Sequence, residues 1–255
     1  MKSKRMNQIE EYVLNKNTVT LDTLTSVFNV SKNTIRRDVQ ELVKRGNIKK
    51  VYGGVAANSK LLVSFDERQI KNSCAKNLIA KAASNFVKDG DIIFVDSGTT
   101  TLNMVEFLKD RNNLTIITNN LNFIMNCSKY NNINIISTGG TLNRKTNSFA
   151  GIASLNLFKN YNINKAFMAA TGISLTSGVT NSSPLESEIK KTAVKKSTEV
   201  FLLADYSKFN ICSLVTYCNL DDIDYLITDK LPPEEYIELI ERSSVELLIP
   251  EQASE

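Results

Sequence analysis

The amino-acid sequence predicts an α/β protein in two parts: a small, basic, mainly helical domain at the N-terminus and a larger domain built on a mainly parallel sheet. Residues 1–60 hold 12 Lys and Arg and five Asp and Glu, a net charge of +7. The rest of the chain holds 19 of the 31 basic residues and 22 of the 27 acidic ones. Apolar residues of the first part recur at helical spacing, whereas later apolar runs are short, β-prone and separated by helical patterns. A basic domain joined to a mildly acidic one is typical of a polyanion-binding protein, although chance clustering on a solvated face gives the same count.

The composition is that of a globular protein and argues against a metal-binding protein and a membrane protein. The chain has 255 residues, of which 42% are hydrophobic and 23% charged, as is ordinary for a globular protein. It contains no histidine, and its four cysteines form no CxxC pair, so we predict no metal site and no cofactor. Without histidine the usual general base of nucleophilic catalysis is also missing. No apolar run approaches the ~18–20 residues of a membrane span and no signal peptide is recognisable, which predicts a cytoplasmic protein without membrane contact and with reduced thiols.

Three helices are predicted in the N-terminal domain. Residues 5–15 form the first, and Thr20 is a suitable N-cap for the second. A two-residue turn, 29–30, separates the second helix from a third, which begins at the N-cap Ser31 and ends near Arg45. Two helices joined by so short a turn are typical of a helix-turn-helix unit.

The third helix divides into an apolar and a polar face. Ile35, Val39 and Leu42 cluster on one side, which we expect to be buried. The opposite side carries guanidinium, carboxamide, ammonium and hydroxyl groups, which can pair with guanine and adenine edges in the major groove or hold phosphates. We therefore predict DNA contacts from Ser31, Asn33, Thr34, Arg36, Arg37, Gln40 and Lys44. The alternative is an ordinary solvated helix face, but such faces usually include acids, and here Asp38 and Glu41 lie off the outward centre.

A short β-prone stretch follows the third helix. It contains Ile48 and Val51 and ends in Gly53-Gly54, which predicts a small hairpin, or wing. Lysines in such a hairpin add salt-sensitive affinity for the DNA backbone. We predict that Lys49, Lys50 and Tyr52 contribute to DNA binding.

The larger domain alternates strands and helices. Strands are predicted near residues 92–95, 114–118, 133–137, 166–170, 200–204, 214–217, 225–228 and 245–249. Helices are predicted near residues 73–88, 100–109, 120–129, 185–197 and 233–242. Continuous apolar strands separated by helices favour a mainly parallel sheet covered on both faces.

Small polar or charged segments follow five of these strands, at 96–100, 119–120, 138–140, 171–172 and 205–208. The carboxyl ends of parallel strands line one crevice, which is the usual ligand site of an open α/β sheet. The first segment runs into a helix, so free backbone N–H groups and hydroxyls there could bind a phosphate. A lysine, 190 or 208, could supply the countercharge. Ordinary capped turns remain the alternative for each loop taken alone.

The sequence from residue 30 to residue 55 resembles the signature of DeoR-type repressors, in which a recognition helix of the pattern VS–TIRRDL–L–G leads into a wing ending in HGG. The matching residues are Val30, Ser31, Thr34, Ile35, Arg36, Arg37, Asp38, Leu42, Gly46, Gly53 and Gly54. Two positions depart from the pattern: Val39 replaces leucine and Tyr52 replaces histidine. Neither change threatens the fold, but Tyr52 could alter a wing contact.

The resemblance continues through the segments DSGTT, TNN, GG, TSGVTN, ESEIKK and ADYSKF and covers residues 3–250. It implies a sensor domain similar in fold to ribose-5-phosphate isomerase and the CoA-transferases, which responds to phosphorylated sugars. The effector-binding residues that it implies are Asp96, Ser97, Gly98, Thr99, Thr100, Asn119, Gly139, Gly140, Glu188, Lys190, Asp205 and Lys208. Glu188 and Lys190 are two positions apart and so do not share a helix face, whereas Glu186 and Lys190 have the spacing of an ordinary i, i+4 pair.

These observations predict a winged helix-turn-helix domain at 1–56, a linker and entry segment at 57–72 and an α/β effector-binding domain at 73–250. The predicted function is that of a repressor of a sugar-metabolism operon. It would bind double-stranded operator DNA as a homodimer or homotetramer under the control of a phosphorylated sugar.

Two alternatives remain at this point. One is a sugar-phosphate isomerase with an accessory DNA-binding domain, in which carboxylates and Lys208 would act as acids and bases, although no paired-carboxylate spacing identifies a base. The other is an RNA-binding module, which the helical reading face argues against because double-stranded RNA hides its major groove.

Overall fold

The computed structural model describes residues 2–16, 18–45, 48–57 and 65–251. The chain divides into two compact units between residues 62 and 63. Within the described ranges, no helix is long and apolar enough to cross a membrane.

The first unit contains three helices and a small antiparallel sheet. They are α1 (Lys2–Lys16), β1 (Thr18–Thr20), α2 (Leu21–Phe28), α3 (Lys32–Arg45), β2 (Ile48–Val51) and β3 (Gly54–Ala57). The strands lie in the order β1-β3-β2, with β2 and β3 forming the wing hairpin. Ile9, Leu24, Ile35 and Leu42 are fully buried and form the centre of this unit. The predicted helices and wing are confirmed, whereas β1 was not predicted because a three-residue strand with one apolar side chain gives no periodic signal.

Local hydrogen bonds fix where the helices of the helix-turn-helix begin. The Thr20 hydroxyl accepts from the N–H of Thr23 at 3.1 Å, and the Ser31 hydroxyl accepts from the N–H of Thr34 at 3.3 Å, so both predicted N-caps are present. Asn29 adopts a left-handed conformation with φ 49°, which ends α2 sharply. The two caps and this turn place α3 directly after α2.

The second unit is an α/β domain. Its helices are α4 (Phe65–Ile70), α5 (Ser73–Ser84), α6 (Thr99–Leu102), α7 (Val105–Leu108), α8 (Leu121–Cys127), α9 (Ile152–Leu157), α10 (Pro184–Lys196) and α11 (Glu234–Glu241). Its strands are β4 (Ile92–Val95), β5 (Leu114–Thr118), β6 (Ile133–Ser137), β7 (Thr141–Asn143), β8 (Ser148–Ala150), β9 (Ile163–Ala169), β10 (Gly172–Ser174), β11 (Gly178–Asn181), β12 (Ser197–Leu203), β13 (Val215–Cys218), β14 (Tyr225–Ile227) and β15 (Glu246–Leu248).

A seven-stranded parallel sheet forms the centre of this unit, in the order β15-β14-β12-β9-β4-β5-β6. Separate apolar clusters cover its two faces: Phe94 and Met168 belong to one, and Ile93 and Phe167 to the other. Adjacent residues of one strand point to opposite faces, so this burial explains why the strands read as continuous apolar runs. The predicted α/β class with a mainly parallel sheet is confirmed.

Some elements differ from the sequence-based expectation. The strand predicted near 214–217 is β13, but it lies in a separate antiparallel sheet with β10 and β11 rather than in the parallel sheet. The helix predicted over 100–109 is interrupted between α6 and α7, where Asn103 and Met104 donate their N–H groups to carbonyls only three residues back. The β7–β8 and β10–β11 hairpins were not predicted, since their three- and four-residue strands are too short to show alternation.

The predicted linker and entry segment, 57–72, contains a helix of the second unit, α4. Phe65, the first residue of α4, is 1% exposed and packs in the same apolar cluster as Ile79 and Val95. Its N–H donates to the carbonyl of Lys145 at 3.2 Å. The chain from residue 65 onward is therefore part of the sensor-like unit rather than a linker, because a buried aromatic anchors it there.

Candidate functional site

The predicted DNA-reading face of α3 is solvent-exposed in the structure. Asn33, Arg37 and Gln40 are exposed, as are Ser31, Arg36 and Lys44, and Thr34 is half-buried. Ile35, Val39 and Leu42 on the other side are buried in the core of the first unit. The helix therefore presents a row of hydrogen-bond donors and cations on a rigid support, as base readout in a major groove requires.

Asp38 has a structural role that was not predicted. It is 1% exposed, and its carboxylate accepts from Arg5 Nε at 2.8 Å and from Arg5 Nη2 at 3.3 Å. This bidentate pair joins α1 to α3 and removes the one acid of the Arg-Arg-Asp segment from the exposed face. The recognition helix is consequently more basic at its surface than its sequence suggests.

The wing places two lysines beside this helix. Lys49 and Lys50 are exposed on β2, and Tyr52 is fully exposed at the tip of the hairpin. Gly53 has φ +76°, which favours glycine, and a Cβ at Gly54 would lie 2.2 Å from the carbonyl oxygen of Val19. The two glycines therefore let the hairpin turn tightly and pack against β1.

A groove separates the recognition helix from the wing. It has a volume of about 240 Å³, and its lining includes Arg36 and Gln40 from α3 and Lys50 and Gly53 from the hairpin. Helix and wing residues thus share one basic concave surface in the first unit, which suits a nucleic-acid backbone.

In the second unit, the segment 96–100 follows β4 as predicted. All five residues are buried, and a Cβ at Gly98 would lie 2.3 Å from the Cβ of Ala169. Thr101, which was not among the predicted site residues, fixes the loop: its hydroxyl donates to the carbonyl of Asp96 at 2.7 Å and accepts from the N–H of Gly98 at 3.1 Å. The loop is held close to the end of β9.

Asp96 and Lys190 form a buried ion pair. Asp96 Oδ2 accepts from Lys190 Nζ and, at 2.9 Å, from the N–H of Ala169. Lys190 Nζ also donates to the carbonyl of Ala169 at 2.9 Å and lies over the ring of Tyr217, whose hydroxyl donates to the same carbonyl. Lys190 is thus already neutralised by Asp96, so it is a poorer countercharge for a ligand than the sequence suggested.

The effector role predicted for Glu188 is not supported by its position. Glu188 is exposed and accepts from Lys191 Nζ at 3.0 Å on the surface of α10. Glu186 is instead the buried carboxylate, accepting from Ser148 Oγ at 2.5 Å and from Asn181 Nδ2 at 3.3 Å. The ordinary Glu186–Lys190 pair is replaced by these contacts and by the Lys190–Asp96 pair, because both helix residues face the interior rather than solvent.

A group of cations lies around Asp205. Lys76 is 3% exposed and donates through Nζ to the carbonyls of Arg68 and, at 2.6 Å, Lys71. Burial and, to a smaller extent, the neighbouring charge of Lys208 together lower the pKa of Lys76 to about 8, while Asp205 opposes the shift. Burial also lowers the pKa of Lys208 and that of Arg68. Three basic side chains are therefore held in a partly desolvated environment.

Asp205 balances part of this charge. Its Oδ1 accepts from Asn72 Nδ2 at 2.9 Å and from the N–H of Ser207 at 3.1 Å. Burial by itself would raise the pKa of Asp205, but Lys208, Ser207, Asn72 and Lys76 together hold it below its ordinary value. Asp205 is therefore ionised, and its buried Oδ2 has no hydrogen-bond partner among the described residues.

The loops after β5 and β6 lie at the same carboxyl edge of the parallel sheet as the loops after β4 and β12. Asn119 donates to Ser97 Oγ at 3.3 Å, which joins the loop after β5 to the loop after β4. The buried Oδ1 of Asn119 and Oδ1 of Asp96 likewise find no partner in the described part of the chain. Gly139 and Gly140, both at positive φ, follow β6, and a Cβ at Gly140 would lie 2.6 Å from the carbonyl of Ala150.

The sequence interpretation missed Arg68, Lys71 and Lys76. The first two were assigned to a linker, and Lys76 to a helix without further role. One signal was present: Lys76 shares the i, i+3, i+4, i+7 stripe of α5 with the buried residues Ile79, Ala80 and Ala83. A lysine on an apolar stripe must find partners in the interior. In the described residues, no group of three or more His, Cys, Asp or Glu is placed to hold a metal ion.

Both units match known families. Residues 5–61 match the model of the DeoR-like helix-turn-helix domain, and residues 71–230 match that of the DeoR C terminal sensor domain. Among solved structures, ribose 5-phosphate isomerase A from Methanocaldococcus jannaschii is similar at a TM-score of 0.41 and 20% identity, over 55% of each chain.

Curated relatives cover nearly the whole chain. The HTH-type transcriptional regulator IolR of Bacillus subtilis is 48% identical over 92% of this chain and 94% of its own. The HTH-type transcriptional repressor GlcR of the same organism is 30% identical over 97% of this chain and 96% of its own, and the HTH-type transcriptional regulator GolR of Listeria innocua is 32% identical over 88% and 89%. The chain therefore belongs to the DeoR family of DNA-binding transcriptional regulators.

Proposed function

We propose that this regulator is a repressor of a sugar-metabolism operon and that a phosphorylated sugar bound at the carboxyl edge of the parallel sheet controls it. The observation that carries the proposal is the group of partly desolvated cations at this edge, Arg68, Lys76 and Lys208. GlcR, which shares 30% identity with this chain, is named a transcriptional repressor.

The charge of this region suits a phosphate monoester. Among the described residues, the side chains linked here by ion pairs and electrostatic interactions include five cations and three carboxylates, whose charges sum to +2. They are Arg68, Lys71, Lys76, Lys190 and Lys208, with Asp96, Glu186 and Asp205. A phosphate monoester carries roughly −1.5 to −2 at pH 7. Partly buried cations without enough counterions are costly, so an anion that joins them is favoured.

The same edge offers acceptors to hydroxyl groups. Oδ1 of Asp96, Oδ1 of Asn119 and Oδ2 of Asp205 are buried, and none of them has a partner in the described residues. Each would accept a hydrogen bond from a ligand hydroxyl, since a buried acceptor that stays unpaired costs about 1–3 kcal/mol. A polyhydroxylated compound with one phosphate satisfies both the cations and these acceptors.

For DNA we assign recognition to α3 and the wing, through Ser31, Asn33, Thr34, Arg36, Arg37, Gln40, Lys44, Lys49, Lys50 and Tyr52. A homodimer or homotetramer would present two such surfaces to a two-fold operator, with half-site spacing fixed by the assembly. A ligand that binds one arrangement of the assembly better than another would then change operator affinity.

Thermal unfolding with a panel of phosphorylated sugars and their unphosphorylated counterparts tests the ligand assignment. At least one phosphorylated sugar should raise the unfolding temperature of the wild type, and its unphosphorylated form should not. Lys208→Met should lose this increase, whereas Lys195→Met, which changes an exposed lysine of α10, should keep it. An equal increase in Lys208→Met and the wild type, or no increase with any phosphorylated sugar, would contradict the proposal.

A further inference from the structure

The first helix of the second unit is bonded to the candidate ligand site at its C-terminal end. The carbonyls of Arg68 and Lys71 accept from the ammonium group of Lys76. The next residue, Asn72, donates to Asp205 Oδ1 at 2.9 Å and to Ser207 Oγ at 3.3 Å. These hydrogen bonds join the C-terminal part of α4 and the turn after it to Lys76 and to the loop that carries Asp205.

Asn72 adopts a left-handed backbone conformation that these bonds help to hold. It has φ 56° and precedes α5 as its N-cap without forming a side-chain cap bond. A left-handed conformation is tolerated by asparagine but costs free energy compared with a helical or extended one. The bonds to the loop after β12 therefore hold the turn between α4 and α5 in place.

The side chains of α4 and its turn also enter the electrostatics of the site. Arg68 interacts with the carboxylates Glu186 and Asp96, and both Arg68 and Lys71 repel Lys76 and Lys208. An anion placed among these groups would relieve that repulsion, because each cation would gain a counterion in place of a like charge. The position of α4 is then favoured more strongly with the anion bound than without it.

The other end of α4 leads back along the chain toward the DNA-binding unit. Phe65 is the first described residue after that unit and is anchored by its burial and by its bond to Lys145. α4 is therefore the described element of the second unit that lies nearest in sequence to the DNA-binding unit.

We propose that α4 together with Asn72 is the relay through which ligand occupancy reaches the DNA-binding unit: the anion neutralises the cations that surround α4 and fixes the helix by its C-terminal end. This inference rests on the proposed function, since it takes the cation group as the ligand site. It assigns Arg68, Lys71 and Asn72 to the control of the regulator rather than to a linker.

Hydrogen–deuterium exchange of the full chain tests the relay, with inorganic phosphate as the probe and chloride at equal ionic strength as the reference. At a phosphate concentration about four times its Kd, the amides of residues 65–72 should exchange about fivefold more slowly in the wild type. Asn72→Gly retains the left-handed conformation but removes both bonds. It should keep the phosphate-dependent slowing at 97–101 and lose it at 65–72.

Asn113→Gly is the matched control, because Asn113 is also left-handed, with φ 54°, but lies in the exposed loop before β5. It should behave as the wild type in both segments. Slowing at 97–101 without any at 65–72 in the wild type would overturn the relay while leaving the ligand site intact, as would full slowing at 65–72 in Asn72→Gly. No slowing in either segment, with no phosphorylated sugar raising the unfolding temperature, would remove the ligand site and the relay together.

Discussion

The two units of this regulator, the DNA-binding unit (residues 1–62) and the sensor unit (residues 63–255), hold their cations in opposite environments. In the DNA-binding unit, Arg37 and Lys50 are exposed on a helix and a hairpin, where their charges stay hydrated and can meet an extended polyanion. In the sensor unit, Lys76 and Lys190 are almost fully buried and depend on specific partners. The difference shows that net charge identifies only the first kind of site: residues 61–255 carry a net charge of −3, yet they enclose a local group of cations.

The largest expected effect comes from removing a buried cation. Lys190→Met leaves the carboxylate of Asp96 buried without its partner, and breaking such a pair costs about 3–5 kcal/mol. Chemical denaturation of the full chain should show this loss in the transition of the sensor unit. Lys195→Met, which changes an exposed lysine of the same helix, should change the free energy of unfolding by less than about 0.5 kcal/mol. Equal stability of the two variants would mean that the Asp96–Lys190 pair does not support the sheet edge.

An exposed cation should matter for DNA affinity and not for stability. Arg37→Ala should weaken operator binding by about 1–3 kcal/mol and relax specificity at the base pair that Arg37 contacts. Arg242→Ala removes an exposed arginine of the sensor unit and serves as the control in the same anisotropy titration. Unchanged operator affinity in Arg37→Ala would show that the outward face of α3 does not read DNA.

Ligand affinity should depend on pH in a way that DNA affinity does not. The ammonium form of Lys76 attracts the phosphate, and its pKa is lowered to about 8, so affinity should fall as the pH rises through about 8. The fall should approach tenfold per pH unit, or about 1.4 kcal/mol, because the phosphate itself remains ionised throughout this range. Calorimetric titration with an active phosphorylated sugar at pH 7.5, 8.5 and 9.5 measures it. Constant affinity across this range would exclude Lys76 as a charged ligand group.

The smallest expected effect concerns the wing. Lys50→Ala should lower the slope of log affinity against log salt by about 1 while weakening binding similarly on operator and non-operator DNA. Lys88→Ala, an exposed lysine of the sensor unit, should leave the slope unchanged. A loss confined to operator DNA would instead give Lys50 a base contact.

Periodic patterns predicted most of the fold but less of the ligand site. The helix-turn-helix follows from local signals, since the caps Thr20 and Ser31 act within three residues of their partners. The parallel sheet follows from buried apolar runs. Short hairpins did not, because β7, β8, β10 and β11 are stabilised by pairing rather than by their own periodicity.

The ligand site depends on partners far apart in sequence. Asp96 was predicted as a ligand group, but its partner Lys190 lies 94 positions away and occupies Oδ2, which leaves only Oδ1 without a partner among the described residues. Likewise the difference between the buried Glu186 and the exposed Glu188 arises from contacts with Ser148 and Asn181, which no local pattern reveals. The loops at strand ends could therefore be located from the sequence, whereas the interaction partners of each side chain in them could not.

The central claim is that the exposed cations of one unit and the buried cations of the other are coupled through a phosphorylated sugar. The direct test measures the Kd of the full chain for operator DNA with and without a phosphorylated sugar that binds, and the Kd for that sugar with and without operator DNA. Thermodynamic linkage requires the two ratios to be equal, and we expect each to differ from one by about 5–150-fold. A sugar that binds the sensor unit while leaving the operator Kd unchanged would contradict the account.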